Sequence, residues 1–208
     1  MGTAVRRAAH TAADLAPGVG HRALLFDWDG TLADSQAVNF AALARALWSQ
    51  HTDLDRAWFD ARTGVSTREM VQQVGALYGR QLDVDRAVGE RDRNYFERIA
   101  EVSEVADVVE ILRREHGHRA CALATGGGRA TVLPTAERLG LVELFDAVIT
   151  REDVELGKPA PDIFLLAADR LGVPPEQCLV YEDSDEGLEA AAAAGMDVID
   201  VRPLRGTA

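Results

Sequence analysis

Lysine is nearly missing from this chain of 208 residues: Lys158 is the only one among 22 basic residues, and the rest are arginines. Positive charge is itself outnumbered, by 34 acidic residues, for a net charge of −12. That balance argues against nucleic acid or an anionic membrane as a partner. It leaves room for a small anionic substrate, because a local cation dominates its own site. Cysteine is also scarce. Cys121 and Cys178 lie in apolar runs at 120–124 and 178–181, where they read as buried small hydrophobes rather than a disulfide or metal pair. This usage fits a reducing compartment, and a cytoplasmic protein is expected. No stretch of 18 apolar residues exists, so no membrane span is expected. Residues 1–20 carry Arg6 and Arg7 but no continuous apolar segment, and so do not read as a signal peptide. Their Ala, Gly and Thr content reads as a flexible, loosely held extension.

What is present is an ordinary soluble composition, 47% hydrophobic and 27% charged, long enough for a full core and a small second domain. A short apolar run, Ala23 to Phe26, reads as the first strand and is broken by Gly30. A block of helical patterns follows. Residues 35–50 carry apolar residues at helical spacing, 54–62 is a shorter candidate, Ser66-Thr67-Arg68-Glu69 has the capping-box form, and 83–100 is longer and charged. The apolar Trp48, Trp58 and Phe59 of this block suit its core, a substrate wall or an interface, with core the first expectation. From Glu104 helix and strand alternate, with strands at 119–124, 147–150, 178–181 and 197–201. Gly195 is a C′ glycine candidate. Such alternation predicts an α/β fold, a Rossmann-like parallel sheet covered on both faces. The expected layout is a flexible extension (1–20), a catalytic core (21–33 and 104–208) and a small helical cap domain inserted after the first strand (34–103).

Polar residues gather where these strands end. Asp27 and Asp29 follow the first strand, turned to one side by alternation while Trp28 points away. Two converging acids repel unless a cation or a proton relieves them, although Asp and Gly are equally common in plain turns. Thr125 ends the next strand and precedes Gly126-Gly127-Gly128, a source of backbone N–H donors for an anion and, taken alone, also a plain flexible turn. Lys158 lies between Gly157 and Pro159; by itself it reads as a solvated loop lysine. Glu182 and Asp183 form a second acidic pair, which also suits a helix N-terminus with Asp183 or Ser184 as the N-cap. Jointly, the four strand ends bring carboxylates for a hard cation such as Mg²⁺ and donors for phosphate to one edge. This is the electrostatic equipment of phosphoryl transfer.

The order Asp-x-Asp-Gly-Thr (27–31), Thr125, Gly-Lys-Pro-Ala-Pro-Asp-Ile-Phe (157–164) and Glu-Asp-Ser-Asp-Glu-Gly (182–187) resembles the haloacid-dehalogenase-like hydrolase superfamily, over roughly residues 22–203. The third and fourth motifs, with 190–196, are similar to its β-phosphoglucomutase-like branch. The tail 194–202 resembles the fructose-1-phosphate and 6-phosphogluconate phosphatases of that branch. The resemblance implies that Asp27 is the nucleophile, forming an aspartyl-phosphate, and that Asp29 protonates the leaving alkoxide and then activates water. It implies Mg²⁺ held by Asp27, the main-chain carbonyl of Asp29, and Asp183, with Glu182 in support. Lys158 and Thr125 would contact the phosphoryl group, together with the amides of Thr31, Gly126 and Gly127. The second carboxylate, Asp29, sets the pattern apart from the superfamily's dehalogenases and phosphonatases and points to phosphate esters.

Two departures bear on the substrate. Many members of the branch carry His twelve residues after the nucleophile, where this chain has Asn39, and that lowers the case for a mutase. The stretch Thr63 to Glu69 resembles the branch's cap specificity loop. Arg68 in it is a candidate contact to a sugar or second phosphate, and equally a solvated helix arginine. The expected activity is a Mg²⁺-dependent phosphatase of small phosphorylated metabolites, sugar phosphates first, acting as a monomer or weak homodimer. The rivals are a β-phosphoglucomutase and a phospho-accepting signalling domain. Signalling receivers share the acids, Thr, Lys and Mg²⁺, but lack a long helical insert after the first strand.

Overall fold

A computed structural model describes residues 4–205. The apolar runs form the central strands, and six strands in all make one parallel sheet. These are β1 (Arg6–Ala8), β2 (Ala23–Phe26), β5 (Ala120–Ala124), β6 (Ala147–Ile149), β7 (Cys178–Glu182) and β8 (Asp197–Asp200), in the order β1-β8-β7-β2-β5-β6. Two further short strands, β3 (Ala33–Asp34) and β4 (Ser103–Glu104), pair antiparallel with each other. The chain order reverses at β2, between β5 on one side and β7 on the other. Ligands gather at such switch points, outside the carboxyl ends of the strands.

Between β3 and β4 lie the four helices of the cap: α1 (Gln36–Trp48), α2 (Arg56–Asp60), α3 (Thr67–Leu77) and α4 (Val84–Phe96). They close on a small core of their own that includes Leu43, Leu47, Phe59, Met70 and Val74. The capping box forms at α3: Ser66 Oγ accepts from the Glu69 N–H, and Glu69 Oε2 accepts from the Ser66 N–H. Trp48 departs from the expected core position. It is 67% exposed at the C-terminal end of α1, whereas Phe59 is buried and Trp58 lies half-buried beneath the Arg62 guanidinium. An apolar residue in the last turn of an amphipathic helix passes off the packed stripe, and its type alone does not show this.

Alternation along each central strand divides the main core in two. Leu24, Phe26, Cys121, Leu123, Leu179 and Tyr181 face α5 (Ala106–Glu115) and α6 (Arg129–Arg138). Leu25, Ala122, Ala124 and Val180 face α7 (Asp162–Leu171) and α8 (Asp185–Ala193). The Phe26 and Tyr181 rings stack across β2 and β7 at 4.7 Å. Both cysteines are buried and unpaired, as read from the sequence, and burial pushes each thiol up to about 12. No helix among the described residues is long and apolar enough to cross a membrane.

The N-terminal segment requires a correction. Its first three residues lie outside the described ones, but Arg6–Ala8 form the edge strand β1 in parallel register with 198–200 on β8. Beyond it Leu15 is fully buried, and its carbonyl accepts the Tyr181 hydroxyl at 2.7 Å. The segment read as loosely held is therefore part of the core layer, and the strand read as first is the second. An edge strand of Arg-Arg-Ala carries no apolar alternation to announce it. Main-chain pairing and the 3.5 Å ion pair of Arg6 with Asp200 hold it instead.

Candidate active site

Buried acidic and hydroxyl side chains gather where β2, β5 and β7 end. Asp27 follows β2 directly, and its N–H extends the ladder to the Tyr181 carbonyl at 3.1 Å, which fixes its place beside β7. Gly30, at φ +91°, turns the chain away. Lys158, in the loop after β6, reaches under the strand ends with a fully buried side chain. Its Nζ donates to Asp27 Oδ1 and to Glu182 Oε2, both at 2.7 Å. Glu182 is saturated on its other oxygen, where Oε1 accepts the Ser184 hydroxyl at 2.6 Å and the N–H groups of Ser184 and Asp183. Space for this carboxylate exists because residue 187 is glycine: a Cβ there would lie 2.0 Å from Glu182 Cδ.

Charge among these buried groups is finely opposed. Burial, then repulsion from Glu182, pushes Asp27 from 3.8 up to about 7, although Lys158 pulls it down. Burial disfavours the Lys158 ammonium, but the Asp27 and Glu182 carboxylates outweigh it and hold the amine charged well above the ordinary lysine range.

Asp29 lines the same cleft, its Oδ1 turned toward the cap. Oδ1 accepts the Ser35 hydroxyl at 2.5 Å and the Asn39 amide NH2 at 2.8 Å. Thr125 is buried in the cleft wall, and its hydroxyl accepts the Gly127 N–H at 2.9 Å. Gly126 and Gly127 also line the cleft. A Cβ on Gly126 would come within 2.6 Å of the Gly64 carbonyl oxygen, so the cap loop at 63–65 rests directly on the end of β5.

Two residues named from the sequence stand apart. Thr31 is wholly buried outside the cleft lining, and its N–H is spent on the Trp28 carbonyl at 3.2 Å. The turn that positions Asp29 consumes the amide expected for phosphate. Arg68 is exposed and paired with Asp85 at 2.5 Å, and it lines a neighbouring groove rather than the cleft over the acids. Two others were missed. Ser35, the N-cap of α1, and Arg91, only 9% exposed on α4, both join the cluster around Asp29. Nothing in a single chain separates a buried helix arginine from the solvated ones around it.

The acids fit a hard divalent cation. One carboxylate oxygen each from Asp27, Glu182 and Asp183 lie within 4.8 Å of one another, all buried and all oxygen donors. Both Glu182 oxygens already accept hydrogen bonds, whereas Lys158 takes up only Oδ1 of Asp27, which favours Asp27 and Asp183 as the principal pair to hold such an ion.

Comparisons with known proteins agree with this geometry. The family model described as haloacid dehalogenase-like hydrolase matches residues 21–195, and the chain belongs to that family. Its kinship makes it a phosphoric monoester hydrolase. It is 36% identical over 181 residues to the fructose-1-phosphate phosphatase YqaB of Escherichia coli, an alignment covering 87% of this chain and 96% of that one. It is 26% identical over 200 residues to the β-phosphoglucomutase of Bacillus subtilis, covering 89% and 86%. The crystal structure of a hydrolase from Pseudomonas syringae superposes with a TM-score of 0.77 at 26% identity, covering 88% of this chain and 95% of that one.

Proposed function

We propose that the protein hydrolyses a sugar phosphate or a related small phosphorylated metabolite with Mg²⁺, through an aspartyl-phosphate on Asp27. The observation that carries this reading is the buried Lys158 bridging Glu182 and Asp27, the latter lining one cleft together with Asp29. An Asp27 oxygen attacks phosphorus, and the bond from phosphorus to the ester oxygen breaks. Asp29 gives that oxygen its proton, so an alcohol leaves. Water then attacks the phosphoryl group, Asp29 takes the water's proton, and phosphate departs with Asp27 regenerated. Lys158 and the Thr125 hydroxyl stabilise the phosphoryl oxygens, with the Gly126 and Gly127 backbone beside them. Asp27 and Asp183 would hold the Mg²⁺, which would supply neutralisation of charge on the phosphoryl group. The helices at 34–103 act as the cap that excludes water and selects the leaving group.

The relative that acts on fructose 1-phosphate makes that ester the first to test. The measurement is phosphate release from a panel of sugar phosphates, with Mg²⁺ and with EDTA. Metal-dependent release is expected. Silence from a folded protein across the panel sinks the reading and turns attention to isomerisation of β-glucose 1-phosphate with a bisphosphate activator.

A further inference from the structure

Lys158 is the only lysine of the chain, and its two ends are held differently. The ammonium is fixed by Asp27 and Glu182 and lies 4.9 Å from the centre of the Phe164 ring. The main chain that leads to it has little of its own to hold it. Between Val154 and Lys158 the one main-chain hydrogen bond among the described residues is that of the Ala160 N–H to the Gly157 carbonyl, at 3.0 Å. Glu155 and Leu156 are exposed. A loop so poor in main-chain bonds opens easily unless side chains tie it down.

The tie is Arg151. Its own N–H donates to the Gly127 carbonyl at 3.2 Å, which seats the residue on the loop after β5. From there the guanidinium reaches forward over the chain. Nη1 donates to the Val154 carbonyl at 2.8 Å and Nη2 to the Glu155 carbonyl at 3.2 Å. Among the described residues these two carbonyls have no main-chain donor. The third nitrogen, Nε, is buried and faces Gly157, where a Cβ would lie 3.1 Å away. The planar fork therefore spans two consecutive carbonyls while its edge lies against the residue before Lys158. The cap meets the same group: Glu69 Oε1, in the first turn of α3, is 3.6 Å from Nη2. Both side chains of that pair keep part of their surface in water, so it adds little, and the carbonyl bonds set the loop.

We propose that Arg151 is a positioning residue for Lys158: it braces the loop at 154–157 so that the ammonium arrives between Asp27 and Glu182 at a fixed place. The brace is a matter of geometry alone. Its effect on turnover rests on the reading of the site as a sugar phosphatase.

A single lysine makes the test direct, because isotopic labelling of the lysine side-chain nitrogen gives one ammonium resonance. In the wild type this buried, doubly bonded ammonium is expected to exchange its protons slowly. Arg151→Met is expected to speed that exchange at least about tenfold, as the loop opens more often. It is expected to lower kcat for fructose 1-phosphate about 10- to 100-fold with KM little changed, the cost of a misplaced catalytic group. Arg151→Lys, which supplies one point donor where a fork served two carbonyls, is expected to recover part of kcat. Arg151→Gln, too short for the span yet still polar, carries the same test where the Met variant does not fold. Glu69→Gln keeps the capping box of α3 and is expected to leave the exchange unchanged. Exchange unaltered by loss of Arg151, a kinetic change confined to KM, or the full effect reproduced by Glu69→Gln overturns the proposal. If the wild type releases no phosphate from any sugar ester, the functional reading fails on its own, and the ammonium exchange still decides the brace.

Discussion

Lys158 and Glu182 are bonded side chain to side chain at 2.7 Å with neither exposed to solvent. Because Glu182 Oε1 is fixed by Ser184 and two main-chain N–H groups, Glu182 serves as the anchor that aims the ammonium at Asp27. Replacing Lys158 with Met strands two buried carboxylates without their counter-charge. Removing one partner of a buried ion pair costs about 3–5 kcal/mol. Losing one preorganised donor lowers kcat about 100- to 1000-fold. Both are expected, by urea denaturation and by phosphate release. Lys158→Arg restores charge but brings a planar fork to a slot built for a point donor, so stability is expected to recover further than turnover. A Met variant as stable as wild type would refute the anchor role.

The pH dependence of metal binding follows from Asp27. With its carboxyl raised to about 7 by burial and by Glu182, the folded metal-free protein carries a proton there across the range in which a free aspartate is already ionised. A divalent cation must displace that proton. Mg²⁺ affinity is therefore expected to climb by up to about tenfold per pH unit below about pH 7 and to level off above it. Calorimetric titration in buffers of different ionisation enthalpy reads both the affinity and the proton released. An affinity flat from about pH 5 upward would show that Asp27 is already ionised in the metal-free fold.

Gly187 is a packing requirement of the same anchor. Its absent side chain is the space that the Glu182 carboxylate occupies, so Gly187→Ala forces Glu182 or the first turn of α8 to move. Overpacking of this kind costs about 1–3 kcal/mol. The expected outcome is a lower melting temperature together with a fall in Mg²⁺-dependent turnover. At an exposed helix position the same change would stabilise. Full activity in Gly187→Ala would mean that the carboxylate can shift without releasing Lys158.

The strands that bear the site were legible because burial on both faces demands unbroken apolar runs, as in 23–26 and 178–181. The residues at their ends followed from topology: Asp27, Thr125, Lys158, Glu182 and Asp183 all lie at one sheet edge because parallel strands all end there. What stayed hidden was decided by pairing rather than composition. Arg6–Ala8 is a strand only because β8 offers an edge. Arg91 is a buried ligand of Asn39 only because α4 lies against α6, and Thr31 loses its amide to a turn that its own neighbours make. Cap residues suffer most, since Arg68 and Arg91 are alike in type and opposite in exposure.

Asp27→Asn separates chemistry from stability at the same atom. The amide cannot attack phosphorus as a carboxylate does, so turnover is expected to vanish while the fold persists. Its effect on stability has a sign set by pH. Wild-type Asp27 is ionised in the unfolded chain above 3.8 but protonated in the folded metal-free protein up to about 7, so native stability falls as pH rises through that window. Asparagine keeps the volume and carries no proton to lose. In EDTA the variant is therefore expected to melt above wild type near pH 8 and close to it near pH 5, with the difference growing between. Scanning calorimetry at several pH values measures this directly. A variant less stable than wild type near pH 8 would mean that the Lys158 ion pair outweighs burial and Glu182 repulsion, reversing the balance of charge assigned to this pocket.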